Sequence, residues 1–112
     1  MDGFLNVLKP PGMTSSDVVM FVRKRLPRGV KVGHGGTLDP EAAGVLPVCV
    51  GKATRLFDYV IDKRTEYICQ LQLGVCTDTQ DATGQVVRER PVSVTEEDVR
   101  RVLGNFTGVI RQ

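Results

Sequence analysis

The sequence predicts an α+β fold, and three observations lead to this prediction. Segments of alternating or β-branched apolar residues, typical of strands, occur at residues 4–8, 45–50, 65–73 and 85–90. Segments with helical spacing occur between them, at residues 15–26, 53–61 and 95–106. The chain shows no internal repeat and no low-complexity linker, so we expect its 112 residues to form one domain at most.

The composition is that of a soluble globular protein, with 41% hydrophobic and 25% charged residues. No apolar run approaches membrane-spanning length, and the short segment at residues 3–8 is followed by Lys-Pro-Pro, unlike a signal peptide. We therefore expect a cytoplasmic protein without a membrane partner. The cysteines lack the close pairs of a zinc site and there is one histidine, so we expect no metal.

The first strand, with Phe4, Val7 and Leu8, is expected to end at the Pro-Pro-Gly of residues 10–12. Lys9, at its end, has the pattern of a solvated turn residue. A helix over residues 15–26 follows. Thr14 and the acid three positions later, Asp17, suit its N-terminus. Its predicted apolar face consists of Val18, Phe21, Val22 and Leu26. Pro27 and Gly29 are expected to end the helix.

The loop GHGGTLDP, at residues 33–40, contains three glycines, the single histidine and one carboxylate, Asp39. Glycine lets a backbone pass close to a ligand, which makes Gly36 a candidate contact, and Pro40 biases Asp39 toward an extended conformation. The alternative is an ordinary turn, in which Asp39 bonds its own backbone and His34 is an exposed turn residue.

The remaining elements follow from the same patterns. Residues 45–50, between Gly44 and Gly51, predict a buried strand, and a helix over residues 53–61 follows it. Residues 65–73 alternate, which predicts a strand with Tyr67 packed on its apolar face. A polar turn at residues 77–84 and an exposed strand at residues 85–90 follow. A helix capped by Thr95 and Asp98 is expected at residues 95–106, and the start of a last strand at residues 105–110.

Positive charge is concentrated in the first half of the chain. Residues 1–56 carry eight Lys/Arg against four Asp/Glu, and residues 57–112 carry seven against nine. Between residues 18 and 38 there are five basic residues and no acid: Arg23, Lys24, Arg25, Arg28 and Lys31. Such a patch before the Asp39 loop would attract a polyanion such as an RNA backbone. Cations that suit a helix C-terminus explain the first three equally well.

Four parts of the sequence resemble the bacterial tRNA pseudouridine-55 synthases, in the order and at about the spacing that this family shows. The longest is GHGGTLDPEAAGVLP at residues 33–47, continuing to GKATR at residues 51–55. The others are KPPGMTS at residues 9–15, Tyr67, and TDTQDATG at residues 77–84. The resemblance implies a pseudouridine synthase fold, with a mixed, largely antiparallel sheet flanked by helices.

The resemblance also implies a reaction. Uridine in the T loop of tRNA is isomerised by breaking its N1 glycosidic bond and rejoining the uracil to the ribose through C5, with no cofactor. Asp39 would be the catalytic carboxylate, acting on C1′ of the ribose, on C6 of the uracil, or as a base at C2′. His34 would fill the space left by the flipped base, Tyr67 would stack on that base, and Lys9 would lie near the active site and support the loop.

The family's proteins continue beyond the position that matches Gln112, into the rest of the catalytic domain and a small RNA-binding domain. The resemblance therefore covers the N-terminal part of the catalytic domain. The family's aspartate is paired with an arginine from the later half, and no nearby residue clearly replaces it. We expect the 112 residues alone to be inactive, with an open strand edge and uncovered apolar surface.

Two other functions fit the residues. In the first, the chain is a non-catalytic RNA-binding module that recognises a stem-loop through its basic patch and His34, and Asp39 is structural. In the second, the glycine loop cradles a phosphate and Asp39 accepts a phosphoryl group. The absence of Gly-Lys-Ser/Thr after the glycines disfavours this second alternative.

Overall fold

A three-stranded antiparallel sheet organises the first half of the chain. Its strands are β1 (Gly3–Lys9), β2 (Val32–His34) and β3 (Gly44–Val50), with β3 in the centre. The computed structural model describes residues 1–60 and 64–111, which fall into two compact units, Met1–Glu66 and Tyr67–Gln112. Every strand pairing among the described residues is antiparallel, and the predicted α+β class is confirmed.

The core of the first unit lies between this sheet and helix α1 (Ser15–Arg23). β1 pairs with β3 along its whole length, with Gly3 opposite Val50 and Lys9 opposite Gly44. β2 pairs only with the last three residues of β3, so Pro47 does not interrupt that ladder. The buried cluster comes from the helix, from the central strand β3 and from β2: Val18, Val19, Val22, Val32, Leu46 and Val48.

Helix α1 has the predicted start and an earlier end. Thr14 is the N-cap and forms a capping box with Asp17, as predicted. The helix ends at Arg23 because the N–H groups of Arg25 and Leu26 bond three residues back, which tightens the last turn. The predicted apolar face is wrong in one position, because Phe21 is 51% exposed. The Arg25 guanidinium carbon lies over the Phe21 ring, 3.4 Å from the ring centroid.

The segment after β3 was predicted as one helix over residues 53–61. The structure shows a 3-10 helix, Gly51–Leu56, which passes into the short helix α2, Phe57–Val60. Ala53 is buried, whereas Leu56 is half exposed, so the predicted apolar face is only partly used. Ile61, the last residue of the predicted face, lies outside the described residues.

The second unit contains a hairpin and a helix. The hairpin joins β4 (Val75–Thr77) to β5 (Val86–Glu89) through the predicted polar turn, and α3 (Glu96–Leu103) begins at the predicted cap, Thr95. The two remaining strand predictions, for residues 65–73 and 105–110, are wrong. No described strand pairs with either segment, and without a neighbour their backbone groups cannot form a ladder.

Candidate functional site: a carboxylate on a fixed loop

The Asp39 loop begins where β2 ends and returns to the sheet at the start of β3. Its first turn is held by the Gly35 N–H, which donates to the Pro47 carbonyl at 2.6 Å. A Cβ at Gly35 would lie 3.3 Å from both Cβ and O of Pro47, so the loop approaches β3 closely there. Gly36 has φ +144°, a conformation that other residues rarely adopt. These two glycines give the loop its path.

Lys9 supports the Asp39 loop from the interior of the protein. Its side chain is 0% exposed, and its ammonium donates three hydrogen bonds to carbonyl oxygens, to Pro10 at 2.9 Å, Met13 at 2.7 Å and Pro40 at 2.9 Å. All three N–H groups of the ammonium are therefore occupied. The interpretation of Lys9 as a solvated turn residue is wrong. A direct contact between Lys9 and a substrate would require one of these bonds to break.

Ser15 holds the loop on the other side of Asp39. Its hydroxyl oxygen accepts the Leu38 N–H at 3.0 Å and lies 3.3 Å from the Leu38 carbonyl, to which it donates. The Ser15 side chain is buried, and Leu38 packs against the core next to Gly44. Leu38 is thus anchored both by its side chain and by its backbone.

Asp39 lies between these two anchors and is itself exposed. Its carbonyl accepts the Ala42 N–H at 3.0 Å, and the next carbonyl, of Pro40, also accepts the Gly12 N–H at 2.9 Å. No side chain of residues 1–60 donates a hydrogen bond to the Asp39 carboxylate. The backbone at Asp39 is therefore held on both sides, while its carboxylate stays open to a ligand.

His34 is the last residue of β2, at the entry to the loop, and it is partly buried. Its Nδ1 forms a hydrogen bond with the Gly36 carbonyl oxygen. A carbonyl only accepts, so Nδ1 must carry the proton, which leaves Nε2 as the ring nitrogen available for another contact. The interpretation of His34 as an exposed turn residue is therefore wrong.

Tyr67 belongs to the second unit, where its side chain is 60% exposed and its backbone lies outside any strand. Its predicted packing on an apolar strand face is therefore wrong, because that strand does not form. Its contact with a base stays a prediction.

The basic residues line a groove of about 760 Å³ at the C-terminal end of α1. Arg23 is held there by a hydrogen bond to the Val32 carbonyl at 3.2 Å, and the other three exposed cations are Lys24, Arg28 and Lys31. None of the described residues that line this groove is acidic. Because α1 is nine residues long, the groove and Ser15 are separated by roughly 13 Å of helix.

A neighbouring pocket of about 310 Å³ shares Lys31 and Thr54 with the groove and adds Lys52 and Arg55. The Asp2 carboxylate in this pocket accepts the Lys52 N–H at 2.6 Å. Sequence reasoning missed Lys52 and Arg55, although both belong to the GKATR motif. It also missed Ser15, whose signal was a polar residue at helical spacing from Val18 and Val22, on the buried face.

The described residues contain no group of three or more His, Cys, Asp or Glu side chains that could hold a metal ion. The cysteines are free thiols: Cys49 is buried, and burial raises its pKa, whereas Cys69 and Cys76 are exposed. No helix in the described part of the chain has the length and apolar character needed to cross a membrane.

The chain is similar to several named proteins. It is 56% identical over 114 residues to tRNA pseudouridine synthase B of Symbiobacterium thermophilum, 54% over 114 residues to that of Carboxydothermus hydrogenoformans, and 48% over 112 residues to that of Alkaliphilus oremlandii. Each alignment covers 100% of this chain and 38%, 39% and 37% of the respective relative. The chain thus spans less than two fifths of the length of these curated relatives.

A solved structure of an H/ACA RNP bound to a substrate RNA containing 2′-deoxyuridine includes a similar chain, with 50% identity and a TM-score of 0.46 over 52% of this chain and 18% of that one. Residues 23–112 match the family described as TruB family pseudouridylate synthase (N terminal domain). The match includes the Asp39 loop and most of the basic groove. Because this family match spans more than half of the chain, the chain belongs to the TruB family of pseudouridylate synthases.

Proposed function

We propose that this chain carries the catalytic carboxylate of an enzyme that isomerises uridine to pseudouridine in the T loop of tRNA, and that this carboxylate is Asp39. One observation carries the proposal: the backbone on both sides of Asp39 is held by buried groups, while its carboxylate is exposed and accepts no side-chain hydrogen bond from residues 1–60. Membership of the TruB family and the names of the relatives support the reaction and the tRNA substrate.

The chemistry needs one well-placed carboxylate. The N1–C1′ bond of the uridine breaks, a C5–C1′ bond forms, the proton leaves C5, and N1 gains a proton. The product is an isomer of the substrate, so the atoms balance without a redox partner. Asp39 acts as a nucleophile at C1′ or C6, or as a base at C2′. A loop held at Leu38 and Pro40 suits each role, because these hydrogen bonds restrict the positions that the carboxylate can take.

A uracil in a folded T loop has to leave its stack before Asp39 can reach it, at a cost of a few kcal/mol. We assign His34, at the entry to the same loop, to the space that the base vacates. We assign Tyr67 to stacking on the flipped base, a contact worth about 1–3 kcal/mol. The role of Tyr67 rests on the motif resemblance. Gly36 keeps the loop backbone free of a side chain where the substrate approaches.

The RNA backbone is the proposed ligand of the basic groove formed by Arg23, Lys24, Arg28 and Lys31, with Lys52 and Arg55 in the adjoining pocket. Several cations with few carboxylates among them form an anion-binding surface. The groove lies at the opposite end of α1 from Ser15, and the helix is roughly 13 Å long. The groove would therefore bind nucleotides at some distance from the reacting uridine.

A non-catalytic RNA-binding module is the second candidate function. The observation in its favour is that no Lys, Arg or His side chain of residues 1–60 forms an ion pair or a hydrogen bond with the Asp39 carboxylate. Such a module would use the groove and His34 to bind a stem-loop. It would not need the carboxylate.

Tritium release from C5-labelled uridine in a T-arm stem-loop separates the two functions. The assay uses the 112-residue chain and a chimera in which it replaces the matching 38% of the Symbiobacterium thermophilum relative. In the chimera we expect Asp39→Asn to lower release by at least about a thousandfold. We expect its RNA affinity to stay within about threefold of the parent, since the groove is untouched.

Glu41→Gln is the matched control, since it removes an exposed carboxylate two residues away in the same loop. It should release tritium at the parental rate. Equal rates for Asp39→Asn and the parent would overturn the catalytic role. For the 112 residues alone we expect no release, because the arginine that the resemblance implies is not among them. Asp39-dependent release from this chain would show that the expectation about the arginine was wrong.

A further inference from the structure

We infer that Ser15 is a positioning residue for Asp39: its side-chain hydroxyl holds the peptide that leads into the catalytic carboxylate. The inference rests on the proposed function of Asp39. The Ser15 oxygen accepts the Leu38 N–H at 3.0 Å and donates to the Leu38 carbonyl at 3.3 Å. One hydroxyl therefore bonds both backbone groups of the residue directly before Asp39.

The hydroxyl of Ser15 is not used to begin helix α1. Capping is done by Thr14, whose side chain accepts the Asp17 N–H at 3.1 Å, while Asp17 accepts the Thr14 N–H at 2.9 Å. Ser15 is the first helical residue, and its side chain is 4% exposed. Burying a hydroxyl is favourable only where it finds hydrogen-bond partners, and its partners here are the two Leu38 groups.

The restraint at Leu38 is transmitted to Asp39 through a planar unit. The Leu38 carbonyl and the Asp39 nitrogen belong to one peptide bond, so an anchor on the carbonyl fixes the plane that ends at the Asp39 Cα. On the far side, the Pro40 carbonyl accepts bonds from Lys9 and from the Gly12 N–H, both at 2.9 Å. Ser15 and Lys9 thus hold the backbone immediately before and immediately after the catalytic residue.

The first test uses this chain and needs no substrate. Amide hydrogen exchange is measured by NMR in the parent, in Ser15→Ala and in Ser16→Ala, where Ser16 is the next, exposed helical residue. We expect the Leu38 amide to exchange at least about tenfold faster in Ser15→Ala, since it loses its acceptor. The exchange of the amides within α1 should stay unchanged. A Leu38 amide unaffected by Ser15→Ala would overturn the inference.

The second test measures kinetics in the chimera described above. We expect Ser15→Ala to lower kcat by roughly 10- to 100-fold, because a displacement of about 1 Å is enough for such a loss. KM and RNA affinity should stay within about threefold, since Ser15 is buried and contacts no ligand. Ser15→Thr keeps a hydroxyl and should retain most of the activity, and Ser16→Ala should behave as the parent.

These outcomes separate the inference from the proposed function. Tritium release that does not depend on Asp39 in the parental chimera would contradict the proposed function, and Leu38 exchange would still show whether Ser15 holds the loop. An unchanged kcat in Ser15→Ala would overturn the positioning role. A kcat that falls only in proportion to the loss of folded protein, monitored by thermal unfolding, would do the same.

Discussion

At the scale of single residues, the Asp39 loop depends on polar groups that lie beneath the protein surface. Asp39 and Gly36 were selected from the sequence because their loop lies in the longer segment that resembles the family's motif, whereas a glycine-rich loop with Asp-Pro by itself also fits an ordinary turn. The burial of Lys9 was not predicted, since lysine is almost never fully buried unless its charge is satisfied. Two of its carbonyl partners, Pro10 and Met13, lie in the turn directly after it. The third, Pro40, lies 31 residues further along the chain and is brought close only by the fold, which local sequence cannot reveal.

Lys9→Met tests how much this buried ammonium stabilises the fold. The variant keeps the unbranched side chain and removes all three hydrogen bonds, which leaves the Pro10, Met13 and Pro40 carbonyls without their donor. We expect the free energy of unfolding to fall by about 2–5 kcal/mol. Urea denaturation measures this loss, and Lys24→Met, at an exposed position, is the control. A change below about 0.5 kcal/mol would show that water replaces the lysine at little cost.

At the scale of elements, the sequence pattern predicted most helices and strands whose stabilising contacts come from residues nearby in the chain. The capped starts of α1 and α3 follow from Thr-x-x-Asp, a signal contained within four residues. The strand at residues 65–73 failed because alternation shows only that a segment could pair, whereas pairing needs a neighbour that the described chain does not supply. The 3-10 helix at Gly51–Leu56 was likewise predicted as an ordinary helix.

The capping box of α1 predicts a specific acid dependence. Hydrogen bonds from the Thr14 hydroxyl and N–H lower the pKa of Asp17 from its ordinary value of 3.8. A lowered folded-state pKa stabilises the fold above the unfolded pKa, and this stabilisation is lost as pH falls through the folded value, below 3.8. Asp17→Asn should therefore lower the urea midpoint at pH 7, and its effect should shrink as the pH falls below 3.8.

Glu41→Gln, at an exposed loop position, is the control for this comparison. The parent and Asp17→Asn should converge in acid, whereas the parent and Glu41→Gln should already agree at neutral pH. If the gap between the parent and Asp17→Asn were the same at both pH values, the lowered pKa of Asp17 would not be the cause.

At the scale of the whole molecule, the structure shows where the basic residues of the first half of the chain lie. The sequence predicted a basic stretch before Asp39 and left open whether it was only a helix end. In the fold, this stretch lines a groove. Lys52 and Arg55, from a segment some twenty residues further along the chain, line the neighbouring pocket. That convergence depends on β3 returning beside β2, which no local pattern contains.

The groove predicts how RNA binding responds to salt. The logarithm of the affinity should fall linearly with the logarithm of salt concentration, by about 0.7–0.9 for each phosphate contacted. We expect the double variant Arg28→Gln/Lys31→Gln to bind a T-arm stem-loop more weakly and to lower this slope by about 1 per residue. Arg100→Gln, which removes a cation paired with Glu96 at 2.7 Å in α3, should change neither quantity. A slope that is unchanged in the double variant would place the RNA elsewhere.

The pairing of β1 with β3 also determines when the Asp39 loop can take its final shape. Because Gly3 lies opposite Val50 and Lys9 opposite Gly44, the segment that this pairing closes contains α1, β2 and the loop. The ribosome adds about 5–20 residues per second and makes β1 first, so Lys9 has to wait for β3 before it has a strand partner. Contacts between distant residues form slowly. A nascent chain can thus already contain Asp39 while the geometry around it is still missing, and we expect the carboxylate to reach its working position among the last steps of folding.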